Sequence, residues 1–113
     1  MSLQTDLQSV LAPLATGGAW NLRAVQNTVA PYIVWQRVVS TINNSTLGAS
    51  DVQNTRVQVD AYARDYPTVV SLARAIAAAV AGGFNGVRLS EQDFFEDDTK
   101  LYRVSQDFSV WSG

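Results

Sequence analysis

Leu3, Leu7, Val10, Leu11 and Leu14 fall at i, i+4, i+7, i+8 and i+11, which draws one apolar stripe along a short helix. Ser2 is placed to cap it, and Asp6 in the first turn is favoured by the helix dipole. Pro13 ends or kinks the helix, and Thr16-Gly17-Gly18 stops it. A short strand is expected within 19–25, then a loop at Asn27-Thr28-Val29-Ala30-Pro31. From there the chain turns β-branched and aromatic: Tyr32, Ile33, Val34, Trp35, Val38, Val39, Thr41 and Ile42 predict a strand over 32–42. Both of its faces carry apolar residues, so it belongs at the centre of a sheet or at an interface. Residues 43–54 are polar, contain Gly48 and show no period, which predicts a long loop.

Strict alternation follows over 55–63. Val57, Val59 and Ala61 point one way, and Arg56, Gln58, Asp60 and Tyr62 the other, as in a half-buried strand with one polar face. It should pair antiparallel with 32–42. Arg64-Asp65-Tyr66-Pro67 then opens a helix over 67–81, with Asp65 or Tyr66 as cap and Pro67 in the first turn. Val69, Leu72, Ala73, Ile76, Ala77 and Val80 form its buried face, and Gly82-Gly83 is expected to end it. A short strand at 87–89, an acidic turn-like stretch at 91–99 and a last strand at 100–111 complete the chain. In that last strand Tyr102, Val104, Phe108 and Val110 share one face, and Arg103, Ser105, Asp107 and Ser109 the other. Helices and antiparallel strands segregate, which gives an α+β fold: an antiparallel sheet of three to five strands with two helices packed on one face.

Length and composition narrow the function. The 113 residues fit one domain spanning 1–113, and 47% hydrophobic residues suffice for a core. There is no cysteine, so disulfides, thiolate metal sites and cysteine nucleophiles are excluded. There is no histidine, which removes the commonest general base and metal ligand and any Ser-His-Asp triad. The net charge of −2 and scattered basic residues give no stripe for sequence-specific nucleic-acid binding. The most apolar segment, 68–82, carries Arg74 in its middle, and the first residues lack a charged stretch followed by an apolar one, so neither a membrane span nor a signal peptide is expected.

The remaining candidate chemistry has ordinary readings. Glu91, Asp93, Glu96, Asp97 and Asp98 form the densest charge cluster, but their spacing does not match a calcium loop and no central glycine makes the turn. An acidic connector, or an acidic lip that repels DNA or meets a basic partner, fits better. The glycines of Gly82-Gly83-Phe84-Asn85-Gly86 follow a helix, and a helix C-terminus repels the anions that a phosphate cradle would hold. Asp60 and Asp107 lie on polar strand faces and could be set side by side as a carboxylate pair, but solvated surface charge is the better reading. No catalytic residue, metal or cofactor is expected.

Pro31-Tyr32-Ile33-Val34-Trp35-Gln36, then Arg56-Val57-Gln58-Val59-Asp60-Ala61-Tyr62-Ala63, then an alanine-rich helix with Leu72-Ala73, then Leu101-Tyr102-Arg103-Val104-Ser105-Gln106-Asp107-Phe108-Ser109-Val110-Trp111 follow one another in order. Together they resemble the phage tail-completion proteins, also called tail terminators or head–tail joining proteins. Members of that family usually carry an Arg-aromatic pair before the Pro-Tyr strand, and Gly18-Ala19-Trp20-Asn21-Leu22-Arg23-Ala24 matches that segment loosely. The resemblance implies a structural, non-enzymatic subunit of the virion tail, assembled in the bacterial host cytoplasm. It implies a homo-oligomeric ring, often a hexamer, that caps the tail-tube protein and meets the head connector protein. Interfaces are enriched in Trp, Tyr and Arg, which singles out Trp35, Arg56, Gln58, Asp60, Tyr62 and Trp111 as interface candidates. The alternative is a small α+β module for a ligand or peptide, which requires an enclosed apolar pocket with a few polar groups.

Overall fold

The computed structural model describes residues 3–22, 24, 28–42, 53–84 and 86–112, with side chains for all of these except 3–4, 39–42, 53–54, 84 and 111–112. The expected Ser2 cap, residues 43–52 of the expected loop and the Trp111 side chain lie outside what is described. Helix α1 spans Leu3–Leu11 and passes into a 3-10 turn at Ala12–Leu14. Pro13, without an N–H, forces that change of pitch. Leu7 and Leu11, one turn apart, are buried and hold α1 to the core.

The strands are β1 (Ala19–Asn21), β2 (Tyr32–Ile42), β3 (Gln53–Ala63), β4 (Val87–Glu96) and β5 (Leu101–Ser112), with α2 at Tyr66–Phe84 between β3 and β4. They form one sheet in the order β1-β2-β3-β5-β4. β2 with β3, β3 with β5 and β5 with β4 are antiparallel, while β1 joins β2 in parallel, so the sheet is mixed. The fold is α+β as expected. Because β5 inserts between β3 and β4, the connection through α2 must cross one face of the sheet. Val69, Leu72, Ala73, Ile76 and Val80 of α2 pack there on Val57, Val59 and Ala61 of β3 and on Val104, Phe108 and Val110 of β5.

The start of α2 is built by Asp65. Its carboxylate accepts from the Thr68 backbone N–H (3.2 Å) and from the Thr68 hydroxyl (2.8 Å), which satisfies a donor that the helix leaves open. At the other end, the expectation that Gly82-Gly83 stop the helix is corrected: α2 runs on to Phe84. Gly86 makes the stop. Its N–H donates to the Val80 carbonyl (3.2 Å), and a Cβ at Gly86 would lie 2.5 Å from Val80 Cγ1.

Two further expectations change. β3 begins at Gln53, two residues inside the expected loop. The stretch 91–99, expected as a turn, is mostly strand: β4 continues to Glu96 and the turn is confined to 97–100. Acidic residues lower strand propensity, but here the pairing with β5 decides. All of β4 through Phe95 is solvent-exposed, so its charges stay hydrated and cost little.

Candidate assembly surfaces

Both helices cover the same side of the sheet, and among the described residues the other side is open. On the open side Tyr32, Val34 and Gln36 of β2 stand against Tyr62, Asp60 and Gln58 of β3. Arg103, Ser105, Asp107 and Ser109 of β5 continue the surface, and Phe94, Gln92 and Ser90 of β4 close it. Four of the six interface candidates, Arg56, Gln58, Asp60 and Tyr62, come together here because residues two apart on a strand share a face.

This open surface is internally connected. Tyr32 and Tyr62 stack with ring centroids 4.8 Å apart and planes 15° from parallel. The Arg103 guanidinium lies 4.3 Å above the Phe94 ring and pairs with Glu96 at 3.5 Å. Arg56 approaches Asp107 at 3.8 Å, and the Ser90 hydroxyl donates to the same carboxylate at 3.1 Å. Burial is the first cause that holds the Tyr32 and Tyr62 phenols above their usual pKa. Glu96 adds to it for both, and for Tyr62 the adjacent Arg103 pulls the other way.

Asp60 departs from the expected exposed face. It is only 7% exposed, and the Gln58 side-chain amide donates to its carboxylate at 3.2 Å. A short side chain between the taller Gln58 and Tyr62 is shaded by them, which alternation alone does not show. Asp60 faces Ser105 while Asp107 faces Gln58, so the two carboxylates lie diagonally and each has its own partners.

Trp35 is on the other side. This interface candidate is 3% exposed and part of the core, and its indole N–H donates to Gln8 Oε1 at 2.9 Å. The Gln8 amide in turn donates to the Ala19 carbonyl at 2.7 Å, so α1, β1 and β2 are tied by one side chain. Trp35 does border an open groove of about 550 Å³ with Thr5, Gln8, Ser9 and Asn21. The groove is open to solvent, unlike the enclosed pocket that a ligand-binding module requires.

The acidic cluster is divided by strand alternation. Glu91 and Asp93 face the helix side, where the Tyr66 hydroxyl donates to Asp93 at 2.6 Å and this bond raises the Tyr66 pKa, and Glu96 turns to Arg103 on the other. Among the described residues no three acidic side chains converge on a point where a metal could sit. What the sequence reading missed is apolar: Val87, Leu89, Phe94 and Phe95 all stand exposed on β4. The adjacent Phe94-Phe95 pair inside an acidic stretch was the available signal, since a strand sends neighbours to opposite faces and one phenylalanine must then lie outside the core.

No curated protein sequence matches this chain. Among solved structures, a chain in the virion of a native gene transfer agent (GTA) particle is similar in fold, with a TM-score of 0.61 and 17% identity over 97% of this chain and 93% of that one. The family model described as tail completion protein gp17 matches residues 5–113. The protein therefore belongs to the tail completion protein gp17 family and is a structural component of a phage tail.

Proposed function

We propose that this chain acts as a single domain that assembles into a hexameric ring on the last ring of tail-tube protein, stops tube growth there and presents its far side to the head connector. The family match over residues 5–113 carries this reading. The surface is in keeping with it: an open sheet face of stacked tyrosines, arginines and carboxylates is suited to protein contact, where Tyr and Arg dominate binding energy. Its work is non-enzymatic and needs no cofactor, and it takes place in the virion tail after assembly in the bacterial cytoplasm.

The test is to add the protein to growing tail-tube polymer. Tube length should fall as the protein is added, one ring should appear at one end, and purified head connector should then bind that end. Uncapped tubes of unchanged length would overturn the reading.

A further inference from the structure

The described large apolar residues that remain exposed number eight, and they divide between the two edges of the sheet. Val87, Leu89, Phe94 and Phe95 are on edge strand β4, and Tyr66 joins them through the ring cluster with Tyr102 and Phe95. Leu22, Val29 and Val38 are at the opposite edge. Leu22 continues β1, with its N–H on the Trp35 carbonyl at 2.9 Å. The Val29 carbonyl lies over Gly17. Val38 is the extra residue at a bulge in β2. The open groove lined by Asn21 and Trp35 lies at this second edge.

Among the described residues the backbone at both edges is open. β4 pairs only with β5, and β1 covers β2 only from Ile33 to Trp35, so among the described residues nothing pairs the outer side of β2 beyond that. Charge separates the edges as well. Residues 87–100 hold five acids (Glu91, Asp93, Glu96, Asp97, Asp98) against Arg88 and Lys100, a net of 2 − 5 = −3. At the other edge, described residues 15–22, 24 and 28–42 hold Arg37 and no acid, a net of +1.

We infer that the β4 edge of one subunit docks on the β1–β2 edge of the next, so that the sheet continues across the subunit boundary with Phe95 or Leu89 directed at the groove beside Trp35. The inference rests on the ring reading and specifies the contact that builds the ring. Unpaired strand edges bind one another through backbone hydrogen bonds, and the exposed apolar residues add burial. The charge pattern chooses the partner: two β4 edges would set −3 against −3, and two β2 edges would set arginine against arginine. Only the unlike pairing attracts. An unlike, head-to-tail contact is the kind that closes into rings.

The experiment uses two full-length variants. One blocks the β4 edge with Leu89→Lys and Phe95→Lys, and the other blocks the β2 edge with Arg37→Glu and Val38→Asp. All four side chains are exposed, so both variants should fold, with a small drop in melting temperature where Phe95→Lys gives up the ring contact with Tyr102. Light scattering after size exclusion should give a ring mass for the wild type and a monomer mass for each variant. The equimolar mixture should give a dimer and nothing larger, because one intact junction remains. If the wild type forms rings only on tail tube, the same variants are scored by occupancy of tube ends, and each alone should lose the closed ring. Rings of wild-type mass from either variant would overturn the edge contact and leave the ring reading standing. A wild type that stays monomeric at every concentration and leaves tube ends bare would overturn both.

Discussion

Gln106 sits on the buried face of β5, only 1% exposed, and is the most completely buried polar side chain described. Its amide donates to the Ala73 carbonyl on α2 at 3.1 Å, while its own carbonyl oxygen, Oε1, has no hydrogen-bond partner among the described residues. A buried hydrogen bond contributes about 1 kcal/mol net, and a buried orphan acceptor costs about 1–3 kcal/mol. Replacing Gln106 by Met, of similar length, removes both the bond and the orphan. Ala73 keeps its helical acceptor role, since it lies well inside α2. The variant Gln106→Met should therefore be more stable than the wild type by about 1 kcal/mol, which for a domain of this size raises the Tm by roughly 4 °C. Gln106→Ala removes the same polar atoms but leaves a void against Ala73, and should be less stable by about 2 kcal/mol. Urea denaturation with equal m-values for all three proteins would measure this. A Met variant as destabilised as the Ala variant would refute the reasoning, because it would mean that the amide is fully satisfied and holds α2 on the sheet by more than its volume.

Other perturbations test other parts of the fold. Gly17→Ala places a Cβ 1.9 Å from the Val29 carbonyl oxygen, a backbone atom that cannot swing aside, while Gly86→Ala meets a Val80 methyl at 2.5 Å. Both should lower the melting temperature, Gly17→Ala the more, and Gly86→Ala by about 1–3 kcal/mol as for an overpacked core. Asp65→Ala removes the cap of α2 and should cost about 1 kcal/mol in urea titration, with Asp65→Asn recovering most of it. Tyr62 has a folded pKa raised above that of the unfolded chain, so its contribution to stability is complete below a pH of about 10 and is lost as pH rises through the raised value. Tyr62→Phe keeps the stack on Tyr32 without the ionisation, and its stability should fall less than that of the wild type between pH 8 and pH 11.

The sequence was most legible where burial is one-sided. β3 and β5 alternate because the helices cover one face only, and β2 is apolar on both faces because Ile33 and Trp35 enter the core on the helix side while Tyr32 stacks on Tyr62 on the other. β4 was hidden for the complementary reason. Neither of its faces is buried, so no alternation was imposed on it, and a strand held only by backbone pairing to β5 looks in sequence like an acidic turn. The end of α2 was misplaced because Gly82 and Gly83 have open space around them and no need to be glycine, while Gly86, three residues past Gly83, does. Of the interface candidates, the β3 face was readable from its period of two. The burial of Trp35 depends on Gln8, 27 residues away, which no local pattern reveals.

The most direct test of the account is electron microscopy of tail tubes polymerised with this protein. The account predicts a single ring of six subunits at one tube end, tubes that no longer elongate, and head connector bound to the capped end. Protein scattered along the tube wall, or absent from ends that keep growing, would contradict it.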